Sequence, residues 1–343
     1  MQTFCPKVTI ITSIRNIIKS GRQEMLKQTI ESVQSQTYSN IEHIIQDGAS
    51  DDGTLNFLQE YKDKGWITVY SEKDTSVHDA INKAATKASG DYIALLSSDD
   101  YYKDNDIIEY IVNNYLKDGK YDYCYGDEER ISASDNKYIW TWHGDLYKDI
   151  FWRGVFCPTE ALIMSKKMFD EIGGFDTKYP VVADVKLQMK IILGDYKGIN
   201  CNRVIDVFRE GGGLSSDPDI HFFHTNEAIE ICYEFWKNFD DDLTPEKVEH
   251  MIKYEAFSET FFMKLRRYII HKKLKNFDYI KFNKHIESMI AYYKEKTKNK
   301  MQTTNKFQLF NKFTIAKTIK NDSKKEIFIF GIPILTVTKK KGI

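Results

Sequence analysis

The sequence predicts an α/β fold: a mostly parallel sheet with helices on both faces, then a helical C-terminal region and a short β tail. Three observations predict it. Over roughly the first 125 residues, short β-branched apolar runs alternate with amphipathic helical patterns, the alternation that builds parallel sheets. From about His221 to Lys296 the pattern is mainly helical and rich in Phe, Tyr and Lys. The end returns to an apolar, strand-like run, Ile327 to Val337, bent at Gly331 and Pro333. The expected divisions are residues 1–215, 216–300 and 301–343.

Val8 to Thr12 reads as a buried parallel strand. Arg22 to Ser35 places Met25, Leu26, Ile30 and Val33 on one helical face. Ile41 to Gln46 is the second strand and ends at Asp47-Gly48; Ser50 is the expected cap of the next helix, with Asp51 and Asp52 in its first turn. Ile67 to Tyr70 is a third strand. Val77, Ala80, Ile81, Ala84, Ala85 and Ala88 form a helical stripe, with Gly90 as its expected C-terminal cap. Asp91 to Leu96 is the fourth strand, and Ile107 to Leu116 repeats the helical stripe. Tyr121 to Tyr125 is the fifth strand. Beyond residue 130 the expectation is a strand over Ala161 to Met164 and a short helix over Lys166 to Ile172, stopped by Gly173-Gly174. A helix over Val185 to Leu193 and a strand over Val204 to Phe208 follow, then a loop at Gly211-Gly212-Gly213. The polar stretch Thr297 to Asn305 reads as a linker.

The 343 residues carry a formal net charge of −1, so nothing draws the chain as a whole to nucleic acid. Five cysteines, scattered and without metal-knuckle or redox spacing, read as free thiols in a reducing cytosol. The N-terminus lacks a signal-peptide pattern, and no apolar run reaches the ~20 residues that span a bilayer. A cytoplasmic protein is expected, working at the inner face of the cytoplasmic membrane if its tail touches lipid.

Ligands of an open parallel sheet bind at the carboxyl ends of its strands. Those ends are polar here: Thr12-Ser13 with Arg15-Asn16 beyond, Asp47, and Ser97-Ser98-Asp99-Asp100. No G-x-G-x-x-G follows the first strand, and no G-x-x-x-x-G-K-[ST] occurs anywhere. Phosphate bound without a glycine-rich cradle needs another counter-charge. Strand-end carboxylates can supply one by holding Mg²⁺ or Mn²⁺.

The runs Val8 to Thr12, Thr29 to Tyr38 and Ile44 to Thr54 together resemble the family 2 glycosyltransferases. So do Ser71 to Asp74, Asp79 to Lys83, Gly90-Asp91 and Ser97 to Asp100, in the same order and spacing. The resemblance covers roughly the first 125 residues and continues more weakly to about residue 215. It implies a GT-A fold, a nucleotide-diphosphate sugar donor, a divalent cation (Mn²⁺ or Mg²⁺) and an inverting mechanism, in the manner of bacterial cell-surface polysaccharide enzymes.

The resemblance also assigns residues. Asp47 would accept the base's ring N–H, with Thr12 beside it; a turn aspartate and a plain strand-end threonine are the structural alternatives. Ser13, Asn16 and Ser98 complete the strand-end set. Asp99 would be the metal ligand. Its family pattern is Asp-x-Asp, half-filled here because Ser97 takes the first position; helix capping is the alternative. Asp79, Asn82 and Lys83 share a helical face that would meet the donor sugar or diphosphate, unless that face is merely solvated. Asp184, at a helix start after Gly173-Gly-Phe-Asp176, would be the general base toward the acceptor hydroxyl, or else a cap. No second carboxylate can be placed beside the anomeric carbon, so a single in-line displacement is the simpler course.

From Lys306 onward nine lysines face only Asp322 and Glu326. This basic tail either touches an anionic membrane, delivering the enzyme to a lipid-linked saccharide acceptor, or folds as a hairpin on the helical region. Two other functions remain open on the same fold: a nucleotidyltransferase, although Thr12 to Ser20 has no glycine, and a sugar-nucleotide-binding module without turnover.

Overall fold

The sheet is laid around β1 (Val8–Ile14), whose β-branched side chains are almost all buried in the computed structural model. Described are residues 5–146, 155–211, 226–254, 256–315, 324–329 and 332–338, from residue 299 onward by their backbone alone. In chain order α1 (Gln23–Gln34), β2 (Ile41–Asp47), α2 (Thr54–Asp63), β3 (Thr68–Ser71), α3 (Val77–Lys87) and β4 (Tyr92–Leu95) follow β1. These strands run parallel in the order β3-β2-β1-β4, as the alternating pattern predicts.

The second half departs from that pattern. A two-residue strand β5 (Tyr101–Tyr102) precedes α4 (Ile107–Ile111), which continues as a π-helical turn, Val112–Leu116. Then come β6 (Tyr123–Ser132), β7 (Tyr138–Trp142), β8 (Leu162–Ser165), α5 (Lys166–Glu171), α6 (Ala183–Leu193) and β9 (Gly198–Glu210). β8 lies antiparallel between β4 and β6, and β6 pairs with β9 in parallel. β5 and β7 add antiparallel pairs at β9 and β6. The sheet is therefore mixed, with its parallel part confined to the first four strands and to β6 with β9. β5 is too short to show a period, and in Tyr138 to Trp142 apolar residues lie on both faces, so neither strand is legible from alternation.

Two apolar clusters hold the helices. One joins Val8 and Ile10 of β1 and Tyr92 and Ala94 of β4 to Ile107, Ile108 and Ile111 of α4. The other joins Leu26 and Ile30 of α1 to Ile45 of β2 and Leu58 of α2.

Two expected caps are corrected. α2 begins at Thr54, not at Ser50, because Gly53 takes the left-handed conformation (φ 95°) immediately before it. The Asp52 carboxylate accepts from the Thr54 amide at 3.0 Å, and Ser50 turns back to Asp47. α3 ends at Lys87 with Ala88 extended, so Gly90 is not its cap. Gly90 is needed for close approach instead: its amide donates to Thr9 Oγ1 at 3.0 Å, and a Cβ there would stand 2.5 Å from that oxygen.

The helices α7 (Asn226–Trp236), α8 (Pro245–Lys253), α9 (Glu259–Lys272) and α10 (Tyr279–Ile315) follow, then β10 (Lys324–Ile329) and β11 (Ile332–Thr338). The expected linker at Thr297 to Asn305 is helical. It contains neither Gly nor Pro, and a polar composition alone does not break a helix. β10 and β11 form an antiparallel hairpin with an irregularity at Ile327/Phe328. By contacts the chain falls into two units. One comprises Met1–Ala256 and Lys264–His285; the other comprises Phe257–Met263 and Ile286–Ile343. In the second unit the rings of Phe257 and Phe262 pack on Tyr293 at 5.3 and 5.6 Å. Among the described residues no helix is long and apolar enough to cross a membrane.

Gly90→Ala should lower stability by about 1–3 kcal/mol, because the methyl group meets strand backbone that cannot yield. Urea titration checks it: the midpoint should fall at constant m-value. An unchanged midpoint would show that the approach of Gly90 to Thr9 is not tight.

Candidate active site

Asp47 ends β2 fully buried. Its Oδ2 accepts from the Ser50 amide at 2.9 Å and from Ser71 Oγ at 2.6 Å, and its Oδ1 accepts from Ser50 Oγ. Ser50 Oγ in turn accepts from the amide of Asn16 at 2.7 Å, and Asn16 Oδ1 accepts from the Asp51 amide at 3.2 Å. Asn16 sits at φ 51°, a conformation that asparagine tolerates better than most residues. The loops after β1 and β2 are thereby tied together through Asp47. Asp74 closes on the same corner: its carboxylate lies where a side chain on Gly48 would stand, and burial raises its pKa while Arg15 pulls it back. Thr12 is buried, with Oγ1 3.1 Å from His43 Nε2, so its hydroxyl is engaged within the β1–β2 pair. Burial lowers the His43 pKa to about 3, which leaves that ring neutral. Ser13 pairs in register with Gln46.

At the end of β4, Ser98 is buried. The Asp99 carboxylate lies 3.6 Å from the Arg22 guanidinium. Asp100 is buried; its Oδ1 accepts from the Arg209 amide at 2.9 Å, while its Oδ2 has no hydrogen-bond partner among the described residues. Burial, then the charges of Asp99 and Glu160, raise the Asp100 pKa well above the carboxylate range. Arg209, from the end of β9, donates to the Asp99 carbonyl and, at 2.5 Å, to Gln28 Oε1.

On α3 the expected convergence of three residues resolves into a pair and a clamp. Ser76 caps the helix through the Asp79 amide. Asp79 pairs with Lys83 at 2.9 Å and also accepts from the Thr75 amide; the Lys83 hydrogen bond leads in lowering its pKa. Asn82 spends both ends of its amide on Phe175: Nδ2 donates to the carbonyl at 2.8 Å and Oδ1 accepts from the N–H at 3.0 Å. It thereby holds the Gly173-Gly174 turn, where Gly174 at φ 62° leaves no room for a Cβ beside the Asn82 side chain.

Asp184 lies in the first turn of α6, half-buried. Burial pushes its pKa up to about 7, with the Val185 amide pulling it down and Glu160 adding to the rise. Glu160 Oε1 accepts from Ser97 Oγ at 2.7 Å. Glu160 thus binds the turn after β4 and acts electrostatically on Asp184. Its charge also reaches two buried carboxyls that face each other across β6 and β9, Glu128 and Asp206. Burial raises both, Glu128 to about 8, with Arg130 at 2.7 Å pulling Glu128 back.

Glu160, Glu128, Asp206, Arg22 and Arg209 carry no motif and were not singled out in the sequence. A buried-strand carboxylate such as Asp206 inside an apolar run was the one available signal. His143 lies 2.7 Å from Asp127 Oδ2; His221 and His224 fall outside the described residues. Among the described residues no three His, Cys, Asp or Glu side chains are grouped to hold a metal ion. Asp99, partly exposed at the strand end, fits the lesser demand of Mg²⁺ or Mn²⁺, which takes one or two carboxylates and fills its shell with phosphate and water.

The mixed α/β sheet with its flanking helices is of the GT-A type, as its match to solved structures shows. The fold matches that of a Staphylococcus aureus TarS fragment, residues 1–349, crystallised with UDP-GlcNAc, at a TM-score of 0.53 and 13% identity, covering 94% of this chain and 97% of that one. Residues 9–176 match the model of glycosyl transferase family 2, and the chain belongs to that family. An uncharacterized glycosyltransferase of Rickettsia felis is 30% identical over 276 residues, 74% of this chain and 41% of its own length. The putative teichuronic acid biosynthesis glycosyltransferase TuaG of Bacillus subtilis is 36% identical over 105 residues, 30% of this chain and 40% of its own length. The chain thus spans about two fifths of the length of both relatives.

Proposed function

We propose that the chain transfers a sugar from a nucleotide-diphosphate sugar, of the uridine class, to a hydroxyl of a glycan or lipid-linked saccharide, with inversion. One observation supports this: Glu160, which accepts from Ser97 Oγ at the end of β4, also acts electrostatically on Asp184, the side chain whose pKa is pushed up to about 7. UDP-GlcNAc is the molecule in the TarS structure, and teichuronic acid, a surface polysaccharide, is the product class in the name of TuaG. Both are the chemistry proposed here.

Asp47 would accept the base's N–H on Oδ1, with Thr12, Ser13 and Asn16 shaping that corner. Lys83, held by Asp79, would meet the diphosphate, and Asn82 would fix the turn that faces the sugar. Asp99 and Ser98 would stand at the diphosphate, Asp99 as ligand to Mn²⁺ or Mg²⁺. The ion, when bound, supplies neutralisation of the diphosphate charge. In the transfer the acceptor oxygen bonds to the anomeric carbon as the bond to diphosphate breaks. Its proton passes to Asp184, and the nucleoside diphosphate leaves. The basic tail beyond Lys306 would hold the enzyme at an anionic membrane surface.

Three outcomes follow from these assignments. A base must be ionised, so kcat/KM should rise about tenfold per pH unit below pH 7 and level above it. Stability moves the other way. The folded carboxyl holds its proton where the unfolded one has lost it, so stability falls as pH rises from about 4 to 7. Asp184→Asn should lower transfer by about 10²–10⁴ and remove this pH limb while UDP binding persists. Near-normal turnover in the mutant would place the base elsewhere.

Asp99→Asn should weaken UDP binding and abolish its dependence on Mn²⁺, measured by calorimetry. Unchanged, metal-dependent affinity would remove Asp99 as ligand.

Deleting Asp322–Ile343 should leave transfer to a small soluble acceptor intact. It should lower co-sedimentation with anionic vesicles, by about 1 kcal/mol per lysine near the surface, in a salt-sensitive way. Equal sedimentation with and without the tail would exclude the membrane role.

A further inference from the structure

β7 is an edge strand that pairs with β6 alone among the described residues, and it carries its aromatic side chains outward. Tyr138, Ile139 and Trp140 are 61%, 44% and 41% exposed. Isolated exposed apolar residues need no explanation, but two exposed aromatic side chains, Tyr138 and Trp140, on one face of an edge strand do. Trp140 and Trp142 are stacked, with centroids 6.1 Å apart. The Arg130 guanidinium lies over both rings, at 5.2 and 5.0 Å, and over Phe208 at 4.4 Å. Trp140 Nε1 donates to Glu210 Oε1 at 2.9 Å. The exposed indole is thus fixed in orientation, and its one polar atom is already used.

Trp142 pairs across from Glu128 and Trp140 from Arg130, while Asp206 and Phe208 stand beside the same two residues on β9. Cross-strand partners share a face. On this face Trp140 is open to solvent, while Glu128 and Asp206 are fully buried and within the electrostatic reach of Glu160. The Arg130 guanidinium is engaged by Glu128 at 2.7 Å and Glu210 at 3.3 Å, so among the described residues of the platform it is not free for a phosphate or an anionic lipid. A flat apolar ring bordered by carboxylates suits a pyranose instead. The axial C–H bonds of the sugar meet the negative face of the indole, and its equatorial hydroxyls donate to the rim.

We propose that Trp140 and Trp142 form a stacking subsite for a pyranose ring of the acceptor glycan, positioned by Arg130 and Glu210. The proposal rests on the glycosyl-transfer reading above, with this face as the acceptor side.

The test is a tryptophan-fluorescence titration of the full chain with malto-, cello- and chito-tetraose, alongside UDP calorimetry. At least one tetrasaccharide should saturate the wild-type signal. Trp140→Ala should weaken that binding about tenfold or more and leave UDP affinity unchanged. Should Trp140→Ala unfold, Trp140→Leu keeps an apolar cover over Arg130 and carries the same expectation. No saturation with any of the three sugars, or saturation indifferent to Trp140, overturns the proposal. So does self-association abolished by Trp140→Ala without a saccharide response, which assigns the face to a second copy. Absent UDP binding in the wild type counts against the transfer reading and leaves the saccharide titration to be judged by itself.

Discussion

The Arg209 guanidinium, 5% exposed at the end of β9, fixes the turn on which the strand-end carboxylates stand. It binds the Asp99 carbonyl and Gln28, lies over the Tyr101 ring at 4.9 Å, and its own amide holds Asp100 Oδ1. β5, two residues long, pairs with β9 beside it. Without that cation the Asp99 carbonyl would lose its donor in a dry interior, an expensive arrangement. The geometry of Asp99 thus depends on a residue 110 positions later in the chain.

Around this turn the carboxyl groups divide by solvation. Burial raises the pKa of Asp100, Asp206 and Glu128, the last to about 8, and Arg130 pulls Glu128 back. Two adjacent buried carboxyls hold a proton rather than two charges. Asp184 differs because it is half-buried at a helix start, where a backbone amide favours its charged form. Its pKa, about 7, falls near neutral pH.

The legible part of the fold was the local part. Alternation gave β1, β2, β3 and β4 with the helices between them, because each buries a face in one layer and its period is visible in a short window. The mixed second half was not legible. The antiparallel insertion of β8 between β4 and β6 depends on long-range pairing that no local period encodes. The cap at Ser50 failed because Gly53 and Asp52 make a turn whose geometry is set by Lys19 and Thr54, a loop contact across 33 residues. In the site, the motif residues Asp47, Asp99 and Asp184 were legible by resemblance, whereas Glu160 and Arg209 were not. Their importance comes from what they touch, Ser97 and the Asp99 turn, and neither contact leaves a trace in spacing.

The central claim is that one carboxylate, Asp184, takes the acceptor's proton in a single displacement. Glu160, tied to Ser97, acts electrostatically on Asp184 and is the group that could make a two-step course possible. The anomeric configuration of the product, read by proton NMR with a uridine-diphosphate sugar of known configuration, separates the two most directly. A product of opposite anomeric configuration to the donor is the result expected. A product that keeps the donor's configuration would contradict the single displacement and point to an enzyme nucleophile.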